Sequence, residues 1–142
     1  MDRKVWKFGC RWDDTGIPQA SIADSVFKRY NIVFAYTHAV LDMQKGDLIV
    51  LADGNTIIAL GEALTPPAEI SKLNIQAVSL NDQEKYFNRV NVIGCSVNYY
   101  WLDADQQFEY SKQGRFIHAV QIESHVNELF RKMQANNSVI TA

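Results

Sequence analysis

The segment from Leu48 to Gly61 constrains this chain more than any other: two apolar runs, Leu48-Ile49-Val50-Leu51-Ala52 and Thr56-Ile57-Ile58-Ala59-Leu60-Gly61, meet at Asp53-Gly54-Asn55. Asp-Gly between such runs is a strong hairpin signal, because glycine accepts the positive φ that a tight turn needs. Neither run alternates cleanly with polar residues. Both faces of the hairpin must therefore be covered, which places it at the centre of the fold. Pro66-Pro67 ends the second run.

Other segments are read around that hairpin. Val5 to Phe8 forms a first strand, and 11–18 is a loop punctuated by Gly16 and Pro18. Ser21, followed by Asp24, resembles a capping box and opens about two turns of helix to Arg29 or Tyr30. Asn31 to Tyr36 is β-branched and aromatic, hence a strand, and 43–47 is a turn. Ala68 to Leu73 and Asp82 to Phe87 are expected to be single helical turns, with a short strand from Ile75 to Leu80 between them. Val90 to Tyr100 is expected as one or two strands broken near Gly94. After a polar turn at 103–107, Phe108 to Tyr110 and Arg115 to Val120 flank a turn at 112–114. Ile122, Val126, Leu129, Phe130 and Met133 then repeat at helical spacing, and the tail from Asn136 is expected to fray. Hairpin-linked strands dominate, so the expected class is α+β, a mostly antiparallel sheet curled into a small barrel. With 142 residues and no repeat or linker, one domain spans 1–142.

Charge and cysteine content narrow the function. Fourteen basic and 16 acidic residues give a net charge of -2, which argues against a generic basic DNA coater but not against capture of one base in a pocket. Cys10 and Cys95 make no disulfide framework, and nothing near them has metal-ligand spacing, so no metal and no cofactor are expected. No apolar run reaches the roughly 18 residues of a membrane span, and the first ten residues lack a signal-peptide core. No membrane partner and a cytoplasmic location are the expectations. There is no G-x-S-x-G, H-E-x-x-H, phosphate-binding loop or paired-carboxylate motif, and Cys10 reads as buried and inert.

Aromatic positions carry the remaining signal. Trp6 and Phe8 belong in a core, whereas Trp12 sits in a polar loop beside Arg11, where a stacking wall and a donor could meet a base. Phe34 and Tyr36 share one face of their strand, and His38 follows at its exit. In Asn98-Tyr99-Tyr100-Trp101 the alternation pairs Asn98 with Tyr100 and Tyr99 with Trp101, and leaves open which pair faces inward.

The order of features, with Trp6 on an opening strand, a capped helix, the strand to Tyr36, then Gln44-Lys45-Gly46-Asp47-Leu48-Ile49-Val50-Leu51 and Ile57-Ile58-Ala59-Leu60-Gly61-Glu62, resembles the PUA-like superfamily and, within it, EVE-like domains. The resemblance is carried by residues 5–64. It implies a PUA-like pseudo-barrel with helices at its ends, related to YTH and ASCH domains. It further implies a non-enzymatic reader that binds nucleic acid and captures a modified base in an aromatic cleft, beside a possible nuclease or ATPase partner. The candidate base-binding residues are Arg11, Trp12, Phe34, Tyr36, His38, Asn98, Tyr100 and Trp101. An alternative is a small ASCH-like amidohydrolase acting on modified nucleosides with a Lys, a Thr and a Glu. Thr56 and Glu62 are on strands here, but no Lys accompanies them. A metabolite pocket or protein interaction module is the third reading.

Overall fold

Apolar runs with no polar alternation need cover on both faces, and the fold supplies it. The computed structural model describes residues 2–11, 21–75, 77–112 and 114–141. Eight strands, β1 (Val5–Gly9), β2 (Ile32–Ala35), β3 (Leu48–Asp53), β4 (Thr56–Ala63), β5 (Ala68–Glu69), β6 (Ile93–Trp101), β7 (Phe108–Glu109) and β8 (Phe116–His118), form one sheet. Its main path is β2-β6-β4-β3-β1-β8, with β5 added to β6 and β7 to β4. The sheet is mostly antiparallel and curls into a half-barrel, so the α+β class holds. The exception is β1, which runs parallel to β3 from Val5↔Leu48 to Gly9↔Ala52.

Strand alternation divides the apolar side chains between two cores. Trp6, Phe8, Phe34, Ile49, Leu51, Cys95 and Val97 face one core, together with Phe27, Val40 and Ile70 from the connecting segments. Val5, Leu48, Val50, Ile57 and Leu60 face the other, which α2 (Glu123–Thr141) covers with Val126 and Phe130. A bulge at Leu51/Ala52 shifts the β3–β4 register, so that Ile58 and Ala59 both reach the first core. The hairpin turn is as expected, with Gly54 at φ +63°.

Several segments differ from their sequence reading. Residues 75–79 contain no described strand; Ser79 instead accepts the amide of Asp82 through its side chain and caps α1 (Leu80–Asp82). β6 is unbroken at Gly94, which is opposite both Phe34 and Ala68. Residues 68–73 are split into β5 and a 3-10 turn at Ile70–Lys72. The early helix, Ala23–Lys28, is π-helical, and a 3-10 turn at His38–Asp42 has no counterpart in the reading. Most of the expected 11–18 loop lies outside the described residues.

The Gly-Asp turn before β3 is structural. Gly46 takes φ +90°, and the Asp47 carboxylate accepts both the Trp6 indole N–H and the Gln44 amide, each at 2.9 Å. Lys7 faces away from Trp6, is buried, and donates from Nζ to the carbonyls of Lys112 at 2.8 Å and Gly114 at 3.0 Å. No helix among the described residues is long and apolar enough to cross a membrane.

Both thiols are buried, and burial is the main cause that raises them; Cys95 is pushed up to about 12 from an ordinary 9.0, with Asp47 adding to the effect. Cys10 shifts in the same direction, which leaves it un-ionised and without nucleophilic character at neutral pH. The sign of the linkage follows. Between pH 9 and 12 the unfolded chain ionises Cys95 while the folded chain keeps its proton, so stability falls as pH rises. The expected slope is up to about 1.4 kcal/mol per pH unit for that thiol. Burial lowers Lys7 and works in the opposite sense below its ordinary 10.5, so the wild-type slope is a sum. Urea titrations of wild type and Cys95→Ala from pH 8 to 11 isolate the thiol: the variant should lose stability less steeply, and parallel curves would contradict the assignment.

Candidate functional site

The excursion between β4 and β6, residues 64–92, builds a concave surface. Ile70 and Leu73 from its first half and Phe87 from its second enclose an open groove of about 680 Å³. A second groove of about 510 Å³ adjoins it and shares Ile70, Ser71, Phe87 and Asn88 as lining. The first volume lies within the usual span of small-ligand sites, roughly 300–1,000 Å³. Leu80 and Val90 are both more than three-quarters exposed on this excursion.

The π-helical turn Gln83–Phe87 and the residues after it form a ridge with two differently used sides. Gln83, Glu84, Phe87 and Asn88 line the first groove. Lys85, Tyr86 and Arg89 lie against a run of rings instead. Phe34 is at the base of that run, edge-on to Phe27 and Phe87 at 5.3 Å each and tilted to Tyr36 at 6.0 Å and Tyr86 at 6.4 Å. Tyr30 meets Phe87 at 6.5 Å. Tyr36 donates its hydroxyl hydrogen to the carbonyl of Tyr86 at 2.9 Å, and Tyr30 donates to Asp82 Oδ2 at 2.6 Å. These two hydrogen bonds fix the excursion to the end of the early helix and to the residue that follows β2.

Cations cover the outer tyrosines. Arg29 lies 5.1 Å from the Tyr30 ring centre, Arg89 5.2 Å from Tyr36 and Lys85 5.3 Å from Tyr86. Lys28 lies 5.1 Å from Trp101. All four cations are exposed and the four rings half-buried. Each pair contributes on the order of 0.5–1 kcal/mol at an exposed site. Arg29 also pairs with Asp82 Oδ2 at 3.5 Å, and Arg89 Nε donates to the Lys85 carbonyl at 3.4 Å.

The residues named from sequence do not form a single cleft. Phe34 is fully buried and belongs to the core, which corrects its assignment as a base-stacking side chain. Asn98 and Tyr100 point to the opposite side of the sheet, where Tyr100 packs edge-on to Phe130 at 5.6 Å and the Asn98 amide reaches its hydroxyl at 3.4 Å; they too are separated from Tyr36. Tyr99 and Trp101 take the other side, with the Tyr99 hydroxyl donating to the Ile32 carbonyl at 2.6 Å. Arg11 pairs with Asp53 at 2.5 Å beside the hairpin turn. Trp12 lies outside the described residues. Tyr36 and His38 do flank the excursion: the ring of His38 is 2.5 Å from the Asn91 side-chain oxygen, and Asn91 lines the second groove. The sequence reading takes Asp82 to Phe87 only as one helical turn, although the two aromatics Tyr86 and Phe87 between the cations Lys85 and Arg89 are visible there.

Thr56 and Glu62 are six residues apart on β4, about 20 Å at the rise of an extended strand. Thr56 donates to Glu109 at 2.6 Å, and Glu62 is paired with Arg3. The two therefore share no site. Among the described residues, no group of three or more His, Cys, Asp or Glu side chains is placed to hold a metal. No family model, curated protein or solved structure matches this chain.

Proposed function

We propose that this chain is a nucleic-acid-binding reader domain of the PUA-like, EVE-like kind, which recognises a modified base within a strand. The observation that carries the reading is the set of exposed cations, Arg29, Lys85 and Arg89, each held over a half-buried tyrosine of one ring cluster. Single strands are held by surfaces whose cations track the phosphates, and these three cations supply that charge on one face. The net charge of -2 makes the affinity depend on this one surface rather than on the whole molecule. The resemblance of residues 5–64 to EVE-like domains supplies the modified base as the target.

Fluorescence anisotropy with labelled single-stranded oligonucleotides, with and without modified cytosine or adenine and at two salt concentrations, tests the proposal. Wild type should bind, and should favour one modified strand at the higher salt. Replacing Lys85 and Arg89 together by alanine should weaken binding about ten-fold and flatten the salt slope by up to about 1.4, two phosphate contacts' worth for a single strand. Absence of binding by the folded wild type to every strand would overturn the proposal.

A further inference from the structure

We infer that the 680 Å³ groove beside the ring cluster seats one base of the bound strand and selects for an exocyclic amino group through Glu84. The inference rests on the nucleic-acid reading above and adds the base class that the site takes.

The argument starts from the ridge. Its turn puts Gln83, Glu84, Phe87 and Asn88 into the groove and Lys85, Tyr86 and Arg89 on the ring cluster. A strand whose phosphates lie on Lys85 and Arg89 thus runs along the same turn that lines a groove with Phe87, Ile70 and Leu73. An apolar wall and a ring are what a base face requires, since stacking on an aromatic side chain stabilises a base by about 1–3 kcal/mol. A purely apolar ligand would leave Glu84, Gln83 and Asn88 unused, and a second anion would meet the Glu84 carboxylate.

Glu84 then sets the edge chemistry. An ionised carboxylate accepts hydrogen bonds and cannot donate them. Cytosine offers it the N4 amino group, the pairing seen when acidic side chains read cytosine, and adenine offers N6. Uracil presents its N3–H flanked by two carbonyl oxygens, both repelled by the same carboxylate. Gln83 and Asn88 carry both donors and acceptors and can complete the edge of either amino-bearing base. Glu84 is exposed at the groove rim, so replacing it leaves the packed cores intact.

The test uses one strand with a single cytosine in an otherwise abasic background, its partner with uracil at that position, and a fully abasic control, each titrated into wild type and Glu84→Gln. Wild type should bind the cytosine strand about ten-fold tighter than the uracil strand, within the range for a good base-edge contact. Glu84→Gln, which can donate to a carbonyl, should close that gap chiefly by improving uracil. Equal binding of all three strands overturns the groove as a base site while leaving phosphate capture by Lys85 and Arg89 standing. A cytosine preference unchanged in Glu84→Gln overturns Glu84 as the selecting group. Failure of every strand to bind overturns this inference, and failure of the base-bearing oligonucleotides of the anisotropy assay as well overturns the nucleic-acid reading.

Discussion

Gly94→Ala is expected to destabilise the protein by about 3 kcal/mol, the upper part of the range for forcing extra atoms into a packed interior. A Cβ at this position would overlap the Val33 carbonyl oxygen and stand 2.9 Å and 3.1 Å from Phe34 Cβ and Cα. The obstacle is backbone on the paired strand, so no rotamer change relieves it. Gly61 offers the comparison: a Cβ there would meet the Val97 side chain and, at 3.1 Å, the Tyr99 ring. Those are side chains, and they can turn. Urea denaturation should rank Gly94→Ala well below Gly61→Ala; the reverse order would mean that β2 and β6 are not as closely apposed as described. The consequence for the site is direct. Gly94 holds Phe34 and Ala68 on either side of β6, so it fixes the ring cluster against the start of the groove-forming excursion.

Asp47→Ala is expected to cost about 3 kcal/mol, because it removes hydrogen bonds to a charged acceptor and strands a buried indole N–H. Trp6 is 6% exposed, so little of the side chain reaches solvent. Asp47→Asn keeps a neutral acceptor and should cost less than half as much. Trp6 also stacks on Phe116 at 5.2 Å and on His118 at 4.6 Å, linking the turn before β3 to the strand on the far side of β1. Loss of the Asp47 anchor should therefore reduce the aromatic near-ultraviolet circular dichroism before global unfolding. A near-neutral Asp47→Ala with an unchanged aromatic spectrum would show that the indole is held by its ring neighbours alone.

Much of the local structure was legible because it depends on neighbours in sequence. Gly54 and Gly46 mark their turns through a backbone sign that side chains disfavour, and the apolar runs about Gly54 required cover on both faces. Alternation correctly paired Phe34 with Tyr36 and Tyr99 with Trp101, while the inward side of 98–101 needed the position of α2, which takes Tyr100 against Phe130. The candidate site was mostly illegible. Tyr36 and Tyr86 are fifty residues apart, and the hydrogen bond between them exists only once the excursion folds back onto β2.

The sequence by itself determined a hairpin-centred, mostly antiparallel α+β chain with a buried Cys10 and a net charge of -2. Those properties follow from residue type and short-range periodicity. Only the tertiary structure decided that β1 runs parallel to β3, that Phe34 is core, and that Arg29, Lys85 and Arg89 converge on one cluster of rings. The reason is physical: a strand's period says which side chains share a face, whereas the partner of that face is chosen by the packing of segments far apart in the chain.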